Sequence, residues 1–113
     1  MKRSYRLFVE DILTSVDKIE NYISDLYYDD FIENHMVVDA VLRNLEIIGE
    51  AANNIPDEIR NKFSNIPWKK MIGLRNLVAH GYFGIDMTII WEIITKNIPE
   101  TKPDLIEMKN NMN

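Results

Sequence analysis

A chain of 113 residues with no cysteine suits one domain, spanning 1–113, with its own core and without disulfides or cysteine-held metal. Hydrophobic residues at 46% and charged residues at 27% are ordinary for a globular protein, and no apolar run approaches the roughly 18 residues of a membrane span. The net charge of −5 disfavours a broad nucleic-acid binder, but between Ile59 and Ile85 stand five cations (Arg60, Lys62, Lys69, Lys70, Arg75) and no acid.

The chain opens basic, but Glu10 and Asp11 interrupt any apolar stretch, so it does not read as a secretion signal and a cytoplasmic location is expected. From about Ser4 to Tyr28, the residues Tyr5, Val9, Ile12, Val16, Ile19, Ile23 and Leu26 recur at four- and three-residue steps, a helical stripe. The stretch "YYDDFIENH" interrupts it. A second stripe follows through Val38, Val41, Leu45, Ile48, Ala52 and Ile55, and Pro56 ends it. Within that stripe Gly49, Ala51 and Ala52 read as core packing. "PDEIRNKF" predicts a short helix with acids in its first turn.

A further helix is predicted from near Pro67, with Gly81 as its C-cap. Another starts at Asp86 as N-cap and stops at Pro99, and "KPDLIEMKNNMN" forms a short last helix. No stretch alternates well enough to require a strand. The expected fold is all-α, an up-and-down helical bundle with short additional helices.

The helix from Pro67 carries unusual polar content. On a helical wheel Met71, Leu74 and Val78 share one face, and Lys69, Gly73, Asn76 and His80 share the opposite one. Arg75 lies on the flank beside Val78, about 140° from His80. Gly73 lowers the polar face and would admit another backbone or a substrate. A guanidinium can grip phosphate in a bidentate fork, and an imidazole can move a proton, a pair suited to phosphodiester chemistry if a fold or a partner chain brings them together. The plainer alternatives are that His80 caps the helix, that Arg75 pairs with Glu46 or Glu50, and that Tyr82 packs its ring. His35 and His80 have no ligand-like spacing, so no metal and no cofactor is expected.

Arg75, His80 and Tyr82 form an R-x-x-x-x-H-x-Y spacing in "RNLVAHGY". That spacing resembles the motif of HEPN-domain ribonucleases, specifically the HepT-like toxin family. "RNLEIIGEAANNIP" and "IPWKKMIGLRNLVAHGYFGIDMTIIWEII" are similar to that family's second long helix and to its motif helix with the helix that follows. The resemblance implies a homodimer whose two motifs share a cleft, and a metal-independent endoribonuclease acting as the toxin of a toxin–antitoxin pair. It implies catalytic roles for Arg75 and His80, with Asn76 in support; Lys69 and Lys70, in the basic stretch, are candidates for RNA contact. The partner it implies is a minimal nucleotidyltransferase antitoxin that places AMP on Tyr82. The alternative is a catalytically silent bundle that serves as scaffold for that nucleotidyltransferase.

Overall fold

The first stripe folds as α1 (Tyr5–Ile23), which starts where the Ser4 hydroxyl accepts the Arg6 N–H at 3.2 Å. The computed structural model describes residues 4–80 and 84–111. Val9, Ile12, Val16 and Ile19 are buried along α1 as the stripe predicts. The helix ends before the predicted limit at Tyr28, and Tyr27 leaves it fully outward, 81% exposed.

The interruption after α1 is itself a helix, α2 (Tyr28–Glu33). The Asp30 carboxylate reaches back to accept the Tyr27 N–H at 3.0 Å, and Asp29 and Asp30 complement the positive end of the helix dipole. Phe31 is the residue α2 buries, and its ring stands 5.2 Å from that of Trp91.

α3 (His35–Asn54) follows, with the Asn34 side chain accepting the Val37 N–H at 3.2 Å. Val41, Leu45, Ile48 and Ala52 bury one face of it, each worth about 1.5–3 kcal/mol for the larger side chains. Ile55 turns extended ahead of Pro56, which ends the helix as predicted. α4 (Asp57–Lys62) buries nothing and is held locally by an Arg60–Asp57 ion pair.

α5 (Trp68–His80) is pinned at its start by the Trp68 indole, whose Nε1–H donates to the Phe63 carbonyl at 3.0 Å. α6 (Met87–Glu92) is capped by Asp86, which accepts the Thr88 hydroxyl at 2.5 Å and the Thr88 N–H at 2.9 Å. The Thr88 hydroxyl and then the Thr88 backbone hold the Asp86 carboxyl below the usual carboxylate range.

The expected stop at Pro99 does not occur. α6 runs into a π-helical turn (Ile93–Asn97), in which the Ile98 N–H donates five residues back to the Ile93 carbonyl, and then into α7 (Ile98–Asn110). The wider turn places Pro99 in the first turn of α7, where a missing N–H is tolerated. The Thr101 hydroxyl donates to the Asn97 carbonyl at 2.9 Å, and Pro103 lies within the helix. The separate last helix expected from "KPDLIEMKNNMN" is therefore the second half of a longer rod.

Lys102 ties α7 to α1, with Nζ 2.6 Å from Glu20 Oε1 and 3.0 Å from Asp17 Oδ1. The Glu20 contact first, and then Asp17, raise its pKa above the ordinary lysine value. A raised pKa means that this stabilisation is complete below the ordinary lysine range and is lost as pH rises through the elevated folded value. Because all three side chains keep substantial solvent access, Lys102→Met is expected to cost no more than about 1 kcal/mol. Urea unfolding at neutral pH checks this, and the difference from wild type should shrink when salt is raised to about 1 M.

Among the described residues the rods contact one another in the order α5–α3–α1–α7, and no strand forms. The fold is the all-α bundle expected, with α5 and α7 as its two flanks. Between those flanks opens an apolar cleft of about 490 Å³, floored by Ile12 and Val16 and edged by Lys70, Gly73, Leu77 and Thr101.

Candidate functional site

α5 buries Met71, Leu74 and Val78 against the bundle, each 7–8% exposed, which is the apolar face the wheel predicts. Lys69, Lys70, Arg75 and Asn76 are exposed. Lys69, Asn76 and His80 fall on one line along the helix, a row about 16 Å long at 1.5 Å per residue. Lys69 and Lys70 lie in the first turn of α5, which contains no acid. The helix dipole disfavours cations there by about 0.3–1 kcal/mol each, so local stability does not account for them.

Arg75 occupies the flank between the buried and polar faces. Its backbone lies against α3 at Gly49, while its side chain reaches solvent. Among the described residues no ion pair joins Arg75 to Glu46 or Glu50, so the plainer explanation for a cation at this place does not hold. Arg60, by contrast, is taken up by Asp57 within α4. Lys69, Lys70 and Arg75 thus remain as cations facing solvent on one helix, without carboxylate partners among the described residues.

His80 is the last described residue of α5. The side chain of His80, Gly81 as C-cap and Tyr82 as AMP acceptor all lie outside the described residues. Gly73, expected to admit a close neighbour, has nothing within 4 Å of where a Cβ would stand. A close approach between helices falls at Gly49, which is buried with Ala51 and Ala52 as the core-packing expectation has it. Which glycine a helix contact requires depends on the neighbouring helix, and the wheel of α5 alone carries no such signal. Among the described residues no group of three or more His, Cys, Asp or Glu is placed to hold a metal ion, and no helix is long and apolar enough to cross a membrane.

The profile of the family described as ribonuclease HepT-like matches residues 12–108, which include all of α5. The chain belongs to that family. Its HepT-like relatives include Putative RNase MJ1380 of Methanocaldococcus jannaschii, 44% identical over 92% of this chain and 95% of the relative. Putative RNase MJ0125 of the same organism is 43% identical over 91% of this chain and 89% of its own length. Probable ribonuclease HepT of Thermococcus cleftensis is 37% identical over 90% of this chain and 93% of its own. No solved structure matches the chain. Family membership assigns this HepT-like chain to the endoribonucleases.

Proposed function

We propose that the chain is the metal-independent endoribonuclease toxin of a toxin–antitoxin pair and cleaves RNA by attack of a ribose 2′-hydroxyl on the adjacent phosphorus. The observation that carries this reading is Arg75, exposed on α5 with no carboxylate partner among the described residues, one helical stretch from His80. A solvent-facing guanidinium of that kind is available to phosphate.

In the reaction, an imidazole of His80 takes the 2′-hydroxyl proton as the new O2′–P bond forms. The P–O5′ bond breaks, and the leaving 5′-oxygen takes a proton, from the second His80 if two protomers share the cleft. The products are a 2′,3′-cyclic phosphate and a free 5′-hydroxyl. Arg75 stabilises the charge that builds on the phosphorane oxygens. Asn76 supports the same polar face, and Lys69 and Lys70 attract the flanking phosphates, an electrostatic term that weakens with salt.

The active form in this reading is a homodimer. Each α5 diverges its Arg75 and His80 around the helix, so a second copy is what lets both kinds of group meet one ribose–phosphate unit. A second copy would dock over the exposed surface of α5 that carries Lys69, Arg75 and Asn76. The antitoxin is a minimal nucleotidyltransferase. In neutralisation the Tyr82 hydroxyl attacks the α-phosphorus of ATP, pyrophosphate leaves, and the AMP so attached sets negative charge and bulk beside the site.

The test is incubation of the purified chain with RNA in excess chelator, with the termini of the fragments identified chemically. Cleavage with 2′,3′-cyclic ends, abolished by a single 2′-deoxy substitution at the cut, supports the reading. Inert protein whose Tyr82 is nonetheless adenylylated by a nucleotidyltransferase with ATP replaces it with the scaffold role.

A further inference from the structure

At Gly49, α3 packs tightly against the residue of α5 that the proposed chemistry uses. A Cβ on Gly49 would stand 2.8 Å from the backbone nitrogen of Arg75, 3.1 Å from the Arg75 Cβ and 3.1 Å from the Met71 carbonyl oxygen. In an α-helix the N–H of one residue bonds the carbonyl four residues back, so the Arg75 N–H and the Met71 carbonyl are the two ends of one rung of α5. Gly49 therefore lies flat against the rung from which the Arg75 side chain springs. Two of the three obstructing atoms belong to the backbone, and the third is the first atom of the side chain, so none can swing aside. An added methyl must push α5 outward or pry that rung open. Outward movement is available, because the far flank of α5 opens on the 490 Å³ cleft.

We propose that Gly49 is a positioning residue for Arg75: its missing side chain lets α3 set the depth of the Arg75 backbone and so the place of the guanidinium. This rests on the reading of Arg75 as the group that stabilises the phosphorane. A displacement of about 1 Å at a reacting group can lower a rate by about 100-fold, even when the change lies away from the chemistry. The same physical contact also explains why the cost is concentrated at one residue. Gly73, on the same helix as Arg75, meets nothing within 4 Å and is free to take a Cβ.

The test is a double-mutant cycle in the full-length chain, combining Gly49→Ala with Arg75→Ala and reading single-turnover RNA cleavage per folded molecule. Folded fractions come from far-UV circular dichroism, and alanine favours a helix over glycine, so secondary structure is expected to persist. Ile19→Val, a buried position on α1, shows what a loss of packing away from α5 does to the rate. Gly49→Ala is expected to slow cleavage by about 10- to 100-fold alone and to have no further effect once Arg75 is alanine. Ile19→Val is expected to stay within about twofold of wild type. A Gly49→Ala rate within twofold of wild type, or the same loss with and without Arg75, reduces Gly49 to a packing residue and overturns the proposal.

Failure of the nuclease reading looks different: the wild type itself does not cleave. The cycle is then read on affinity for a 2′-O-methyl RNA, which binds without being cut. Coupling between the two substitutions supports positioning of Arg75; additive losses, or no binding by the wild type, overturn it.

Discussion

Arg75→Ala is expected to slow RNA cleavage by about 10²–10³-fold, the effect of removing one donor that stabilises charge in a transition state. His80→Ala is expected to cost about 10²–10⁴-fold, the usual range for a positioned proton-transfer group. The physical basis differs between them. The Arg75 side chain is exposed and makes no ion pair with a described carboxylate, so its loss removes nothing from the core. Stability in urea should stay within about 0.5 kcal/mol of wild type. That split, a large loss of rate with no loss of fold, separates a catalytic group from a structural one. Arg75→Lys keeps the charge and gives up the two-pronged geometry, so it should fall between wild type and alanine. If the two residues act on one phosphorus, the double variant should be little worse than the poorer single variant. An Arg75→Ala chain that cleaves at the wild-type rate would sink the assignment, whatever His80→Ala does.

The parts of this architecture that are legible in the sequence are those that one helix decides by itself. α1, α3 and α5 each carry an apolar stripe whose central residues are buried, while Tyr5, Ile23 and Val38 toward the stripe ends are only partly buried. Asn44 is the exception inside α3: it is buried, and its amide donates at 2.8 Å to the Ala40 carbonyl of its own helix. Polarity alone hides such a residue, because the partner that permits burial is backbone. α2 escapes for another reason. Six residues are too few for a periodic pattern, and the two aspartates that stabilise its first turn look like a solvent loop. The Pro99 stop fails because a π-helical turn rearranges the bonding just before the proline, and nothing in the local composition announces that turn. The candidate site divides in the same way. The exposure of Lys69 and Asn76 and the burial of Met71, Leu74 and Val78 follow from the wheel of α5. The pressure of Gly49 on the Arg75 backbone belongs to two helices at once, and only their packing reveals it.

Phe31→Ala is expected to destabilise the fold by about 3–5 kcal/mol, far more than the loss of any exposed side chain. Phe31 has no exposed surface, although it comes from a helix of six residues that follows the outward-facing Tyr27. Its ring lies 5.2 Å from Trp91, with Tyr28 meeting the same indole edge-on at 6.0 Å. Aromatic contacts of this kind add about 0.5–1.5 kcal/mol beyond area burial. Removing the ring leaves a cavity beside Trp91 of α6, and Phe31 is the buried residue of this six-residue helix. Against a total stability of about 5–15 kcal/mol the loss is large enough to lower the melting temperature by more than about 10 °C. Tyr27→Ala, one residue before the same helix and 81% exposed, should change stability by less than about 0.5 kcal/mol. Trp91 reports the site directly, since its fluorescence should shift when Phe31 is removed even where the chain stays folded. The expected result for activity is thus a loss on warming that tracks the unfolded fraction. A Phe31→Ala chain whose stability stays within about 1 kcal/mol of wild type would mean that α2 is a surface turn and that α6 is held by its continuation into α7 alone.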